Sequence, residues 1–260
     1  TTDELVAVGV CEPSKLGSKA DDKGLLTPMS GTTGAGAFVL AGCHSLIVID
    51  DETQGDPLES AALKSMRWEV NASGLAVPMA ASDKKPAGKP IAVSGHSNVT
   101  QLRILTRHHF SSKLQRMSCV VQSRDRYFSV AKGSPEAIGR HLVSKPEGYD
   151  EQAEALAKQG YRVIALAYME LASPEAAADS RAACEADLRF AGFIAFTCRV
   201  RKDTANVLKR LKQGGMSVAM VTGDALLTAI HVAKEVAICG TTDADLGVDM
   251  HAIEEMHEEL

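Results

Sequence analysis

Aromatic side chains make up only 4% of this 260-residue chain, with one tryptophan, four tyrosines and six phenylalanines. So sparse a set offers no run of stacking platforms for single-stranded nucleic acid. Positive charge is not in excess either: 28 Lys and Arg stand against 33 Asp and Glu, for a formal net charge of −5. A nucleic-acid footprint needs a basic face, so no nucleic-acid partner is expected. The six cysteines (Cys11, Cys43, Cys119, Cys184, Cys198 and Cys239) are scattered and form no Cys-x-x-Cys pair. Zinc and dithiol redox motifs are therefore unsupported, and the thiols read as free and buried in a reducing compartment. No apolar run approaches a membrane span and the N-terminus does not read as a signal peptide, so the chain as given is expected to be soluble. No Gly-x-x-x-x-Gly-Lys-Ser/Thr loop occurs, which disfavours a Walker-type ATPase.

What remains is an ordinary globular composition, 45% hydrophobic and 23% charged, long enough for one or two cores. Its organising stretch is YFSVAKGSPEAIGRHL, residues 127–142. Residues 127–131 are aromatic and β-branched, as in a buried strand. Lys132 and Gly133 break that pattern. Ser134, Pro135 and Glu136 then suit an N-cap hydroxyl, a proline at the first helical position and an acid in the first turn. A lysine beside free helix amides is a place for an anion, above all a phosphate. The same pattern also fits a plain strand-to-helix turn with a solvated lysine.

Around it the chain alternates elements and breakers. Residues 11–35 are rich in Gly, Ser, Lys, Asp and Pro and read as a loop. A helix over 37–43 and a strand over 45–49 follow. Asp56 and Pro57 then open a helix with Leu58, Ala62 and Leu63 as its buried stripe and Glu59 in its first turn, where a carboxylate also suits the helix dipole. The polar stretch 83–94 reads as an exposed loop. Residues 102–109 and 117–121 alternate and predict an antiparallel hairpin, with His108, His109, Phe110, Ser111 and Ser112 between them. Neighbouring residues on a strand face opposite ways, which argues against His108 and His109 as joint metal ligands. A helix over 150–160 closes on Gly160, and a strand over 161–169 begins with Arg162, a fixed charge within reach of a phosphate or of solvent. Residues 174–186 read as an alanine-rich helix. From residue 190 the pattern changes to strand (190–196), amphipathic helix (203–213), strand (216–221), turn (Thr222, Gly223, Asp224) and helix (225–237). That is a βαβα spacing, which predicts a parallel sheet with ligands at the strands' carboxyl ends. The acidic tail, 241–260, reads as a solvated face.

Several phrases together resemble one family. Lys132-Gly133-Ser134-Pro135-Glu136 is similar to the Lys-Gly-Ala-Pro-Glu motif of the P-type ATPase nucleotide-binding domain. Gly55-Asp56-Pro57-Leu58-Glu59, Phe110-Ser111-Ser112, Arg116-Met117-Ser118, the stretch from Arg162 to Ala167 and Met220-Val221-Thr222-Gly223-Asp224 occur in that family's order. The phrases CHSL, GDPLE and HHFSSKLQRMS resemble most closely the type-five, subclass A pumps of the endoplasmic reticulum, related to polypeptide or transmembrane-helix dislocases.

The resemblance implies an α/β fold. An α+β nucleotide-binding insertion, with an antiparallel sheet plus helices, would attach to part of a haloacid-dehalogenase-like Rossmannoid phosphorylation domain. The implied divisions are 1–8 and 189–240 for the phosphorylation domain, 9–188 for the nucleotide-binding domain and 241–260 for the tail. ATP, with Mg²⁺, would place its adenine on Phe110, with Glu59 at the adenine edge. Lys132 and Gly133 would line the pocket and Arg162 would steady the phosphates. Thr222, Gly223, Asp224 and Arg201 would serve phosphoryl transfer when the domains close. Thr1 or Thr2 fits the last threonine of the phosphorylation motif, so the acceptor aspartate is expected outside this chain. Asp22-Lys23-Gly24 lacks that motif's threonine and its preceding strand. Cys198-Arg199-Val200-Arg201 stands where many members carry Asp-Pro-Pro-Arg, Ala225 replaces a frequent asparagine, and Ser134 replaces an alanine. The implied partners are the transmembrane, actuator and remaining phosphorylation domains of the same protein, at the cytosolic face of the endoplasmic reticulum. The other readings are a non-catalytic nucleotide-sensing or interaction module of the same fold, and a stand-alone haloacid-dehalogenase-like phosphatase. The latter needs an N-terminal Asp-x-Asp after a strand, which residues 1–10 lack.

Overall fold

Runs of β-branched and aromatic residues punctuated by tight turns build one large sheet around a helix that is apolar on every side. In the computed structural model of the chain the described residues are 5–18, 24–82, 85–93, 95–173, 180–198, 200–221 and 226–238. Thirteen strands and seven α-helices are described in chain order. The first are β1 (Leu5–Cys11), β2 (Thr27–Pro28), α1 (Ala35–Gly42), β3 (Ile47–Ile49), β4 (Glu52–Gln54), α2 (Pro57–Met66), β5 (Trp68–Val70), β6 (Leu75–Pro78), β7 (Ile91–Val93) and β8 (His96–Val99). The central hairpins follow as β9 (Leu102–Ser111), β10 (Arg116–Ser123) and β11 (Arg126–Gly133), then α3 (Pro135–Gly139), α4 (Tyr149–Lys158) and β12 (Arg162–Leu171). The chain continues with α5 (Arg181–Cys184), β13 (Arg189–Cys198), α6 (Thr204–Gln213) and α7 (Leu226–Glu235).

Nine strands form a single sheet in the order β2-β1-β13-β12-β11-β10-β9-β6-β5, and every ladder in it is antiparallel. One face packs on α1 and α2 through Phe38, Leu63, Phe128, Val130, Leu166 and Phe196. The other packs on α3 and α4 through Ile138, Tyr149, Leu156, Ala165 and Phe193. Each of the Leu, Ile, Val and Phe side chains among them contributes roughly 1.5–3 kcal/mol by burial. Helix α1, AGAFVLAG, is buried at every position but its first, as a helix without a polar face must be. Its Gly36 admits β13 closely: a Cβ there would stand 3.3 Å from the Ala191 carbonyl oxygen.

The expected elements form with shifted ends. Asp56 caps α2, accepting from the Leu58 N–H at 2.7 Å, and Ser134 caps α3, accepting from the Ala137 N–H at 3.1 Å. The hairpin expected over 102–121 is β9–β10, and α4 is followed by Gly160 in the left-handed region at φ 82°. The stretch 11–35, expected as a loop, is irregular over its described residues apart from the last residue of β1, the two-residue β2, two short 3-10 turns and the first residue of α1. Ile91 and Val93, expected in an exposed loop, are buried in β7.

Two further expectations are corrected. Lys132 and Gly133 do not break the strand but are its last two residues. Gly133 is needed there because a Cβ would lie 2.5 Å from the Gln115 carbonyl oxygen and 2.6 Å from Arg116 Cβ on β10. The parallel βαβα unit is not formed among the described residues: residues 216–221 make no ladder, and Val221 is 99% exposed. Strand β13 is hydrogen-bonded to β1 on one edge and β12 on the other, so over its paired length it has no edge left for a parallel neighbour. Thr222, Gly223, Asp224, Ala225 and the tail 241–260 lie outside the described residues, as do Thr1, Thr2, Asp22, Lys23, Arg199 and the first six residues of the expected helix over 174–186, whose described part contains α5.

Candidate functional site

The Asp56 cap and Pro57 fix the start of α2, and Glu59 then points from its first turn onto the sheet. A carboxylate only 5% exposed must be matched, and it is. Lys132 Nζ donates to Glu59 Oε1 at 2.8 Å, and the Ser45 backbone N–H donates to Oε2 at 2.8 Å. The dipole role that Glu59's position allowed is thus joined by a direct partner on β11.

The strand register sets out the remaining groups. Ser111, Arg116, Gly133, Ala165 and Phe193 form one row across β9, β10, β11, β12 and β13. Phe110 adjoins that row at the end of β9 and is 62% exposed. Lys132 adjoins it at the end of β11, two strands away, roughly 10 Å in strand spacings. Arg162 starts β12 at the same end of the sheet and is exposed. The fold therefore gathers Glu59, Phe110, Lys132, Gly133 and Arg162 at one sheet end. Gly133 serves there by close backbone approach. Arg201 is tied locally instead, Nη2 to Asp203 Oδ2 at 3.1 Å and Nε to Oδ1 at 3.3 Å.

Behind these residues lie groups to which the sequence assigned no role in the site. The Ser134 N–H donates to the Gln115 carbonyl oxygen at 2.9 Å and its hydroxyl to Gln115 Oε1 at 3.2 Å, so the β9–β10 turn is pinned to the lysine motif. His44, fully buried, has its Nδ1 accepting from the Leu46 N–H at 3.2 Å. Burial first, then the Lys132 and Arg107 charges, lower its pKa to about 3, so the ring is neutral. Cys43 and Cys119 share a hydrogen bond beneath the site; burial pushes the Cys43 thiol up, while the bond from Cys43 holds Cys119 down.

On the opposite face Glu185 is 1% exposed and held by three side chains: Arg116 Nε at 2.6 Å, Arg181 Nε at 2.8 Å and Ser118 Oγ at 2.9 Å. Burial opposes its charge, but the Arg116 and Ser118 hydrogen bonds and the two guanidinium charges outweigh that, and its carboxyl sits below the usual range. Arg116 and Ser118 belong to a phrase that stood out in the sequence. Arg181 and Glu185 had only their i,i+4 spacing to mark them.

No family model matches the chain. Curated relatives do. The chain is 39% identical over 212 residues to a probable manganese-transporting ATPase, PDR2, of Arabidopsis thaliana, covering 80% of this chain and 17% of the relative. It is 34% identical over 218 residues to the endoplasmic reticulum transmembrane helix translocase spfA of Aspergillus fumigatus, covering 77% of this chain and 16% of the relative. It is 36% identical over 204 residues to a probable cation-transporting ATPase, 13A5, of mouse, covering 75% of this chain and 17% of the relative. The chain belongs to the P-type ATPases, among the type-five members and with its best fit to their subclass A. It spans 15–17% of the length of the first four curated relatives it matches.

Proposed function

We propose that this chain carries the ATP-binding site of a P-type transport ATPase. The observation that supports it best is the gathering of an exposed aromatic, Phe110, and a lysine–glutamate pair, Lys132 and Glu59, at one end of the sheet. The residues fit a nucleoside triphosphate. The Phe110 face offers stacking for a base remote from the phosphates. Lys132 has three donors and Glu59 takes one of them, leaving two N–H donors for a phosphate or ribose oxygen. Arg162 adds a fixed positive charge at the same end.

On this reading Phe110 carries the adenine, Glu59 approaches the adenine edge, and Lys132 with Gly133 lines the pocket while Arg162 orients the phosphates. Mg²⁺ enters with the nucleotide. Phosphoryl transfer depends on positioning and charge neutralisation more than on covalent chemistry from these side chains. Thr222, Gly223 and Asp224, with Arg201, would meet the γ-phosphoryl group as it passes to an aspartate supplied by the rest of the protein. The division into nucleotide-binding and phosphorylation parts belongs to the same proposal. Because β13 is an interior strand of the large sheet, we place the sheet's share through Cys198 and assign α6 and α7 to the second part. The whole protein would couple this cycle to translocation at an intracellular membrane, the endoplasmic reticulum by the names of two relatives, with this chain on the cytosolic side.

Calorimetric titration of the folded chain with ATP, with and without Mg²⁺, tests the proposal. Saturable binding that Phe110→Ala and Lys132→Ala each weaken by about tenfold is expected, the size of one lost stacking or charge-assisted contact. Absence of binding by the folded wild-type chain would refute the site assignment.

A further inference from the structure

Phe110 has little packing to aim it, because most of its ring faces outward. Its direction therefore depends on the backbone on either side. There the β9–β10 ladder is irregular: its register shifts between Arg116 and Ser118, opposite residues 108–111. Such a bulge interrupts the ladder hydrogen bonds and re-aims the side chains beside it.

Arg181 bridges this gap. Its Nη1 donates to the His109 carbonyl oxygen at 3.1 Å and its Nη2 to the Arg116 carbonyl oxygen at 2.7 Å. These residues bracket the turn 110–115, so one planar guanidinium holds both limbs of the hairpin where the ladder lapses. Its third position, Nε, donates to Glu185 Oε1 at 2.8 Å. Glu185 is fixed in turn by Arg116 and Ser118 of β10. Lysine has no planar fork and cannot reproduce two carbonyl contacts plus the carboxylate contact in this geometry.

We propose that Arg181, held by Glu185, is a positioning residue for the base-binding slot: it fixes the bulged hairpin that aims Phe110. The inference rests on the reading of Phe110 as the adenine platform. Arg181 touches no nucleotide in this account and acts only through the backbone of residues 109–116.

The test is a double-mutant cycle on the full 260-residue chain, with ATP affinity measured by calorimetry and amide hydrogen exchange followed at residues 109–116. Arg181→Ala is expected to weaken ATP about tenfold and to speed exchange in that hairpin, the scale of a lost charge-assisted hydrogen bond. In a Phe110→Ala background the same change is expected to have no further effect on affinity, since its target is gone. Arg181→Lys, which keeps the cation beside Glu185, is expected to show the same pattern and serves if the alanine variant fails to fold. Wild-type-like affinity in a folded Arg181 variant, or losses that multiply in the double variant, would overturn this inference while leaving Phe110 in place. Failure of the wild-type chain to bind ATP would overturn both readings.

Discussion

Lys132 Nζ stands 2.8 Å from Glu59 Oε1, an ion pair between residues 73 positions apart that ties the end of β11 to the first turn of α2. Both partners are largely withdrawn from water, with side-chain exposures of 14% and 4%. Removing only the cation leaves a buried carboxylate whose one remaining donor among the described residues is the Ser45 N–H. Lys132→Met is therefore expected to cost about 3 kcal/mol of folding stability. Lys132→Met with Glu59→Gln should recover much of it, because the uncompensated charge is gone. Urea unfolding of the two single variants and the double variant measures both effects.

The neutral ring of His44 gives the fold a pH dependence. Its pKa is about 3 in the folded chain against an ordinary 6.5. Between those values the unfolded chain takes up a proton that the folded chain refuses. The stability it contributes is thus complete above pH 6.5 and falls as the pH drops toward 3, by up to about 1.4 kcal/mol per pH unit. His44→Asn keeps an acceptor for the Leu46 N–H without the titration. Its stability should fall less between pH 7 and pH 5 than that of the wild type, as read by urea midpoints at each pH.

Gly133 is required by close approach. Its Cβ would meet backbone and Cβ atoms of Gln115 and Arg116, which a strand cannot yield without moving. Gly133→Ala is expected to destabilise the chain by about 1–3 kcal/mol, the range for overpacking. It should also loosen the turn that Ser134 holds through Gln115. Thermal unfolding reads the first effect and hydrogen exchange at residues 111–116 the second.

Ser134 accepts from the Ala137 N–H at the start of α3. Ser134→Ala removes that cap and the hydroxyl's bond to Gln115. About 1 kcal/mol should be lost, whereas Ser134→Asp should retain most of the cap. Equilibrium denaturation of both variants separates capping from the Gln115 contact.

Local chemistry was legible in the sequence and long-range pairing was not. Asp56-Pro57 and Ser134-Pro135 announced their helix starts because capping is decided within four residues. The alternation of residues 102–121 announced the hairpin that carries Phe110. Gly133 misled, since a glycine after a strand reads as a turn, while here the missing Cβ extends the ladder. Residues 216–221 misled more: they read as a strand of a βαβα unit, but the sheet containing β13 is antiparallel and β13 has both edges paired. Of the candidate site, Glu59, Phe110, Lys132 and Arg162 were found by motif, and their convergence appears only once β9 to β12 are laid side by side. Arg181, whose guanidinium reaches β9 and β10 from 72 and 65 positions away, carried no motif at all.

If ATP binds as proposed, at the sheet end where β9 and β11 finish, an amide shift map of isotope-labelled chain titrated with ATP will locate it. Saturable shifts are expected at Phe110, Ser111, Lys132, Gly133 and the first turn of α2, with α6 unmoved. Shifts centred on α6 and α7, or none at any of these residues, would contradict the proposal.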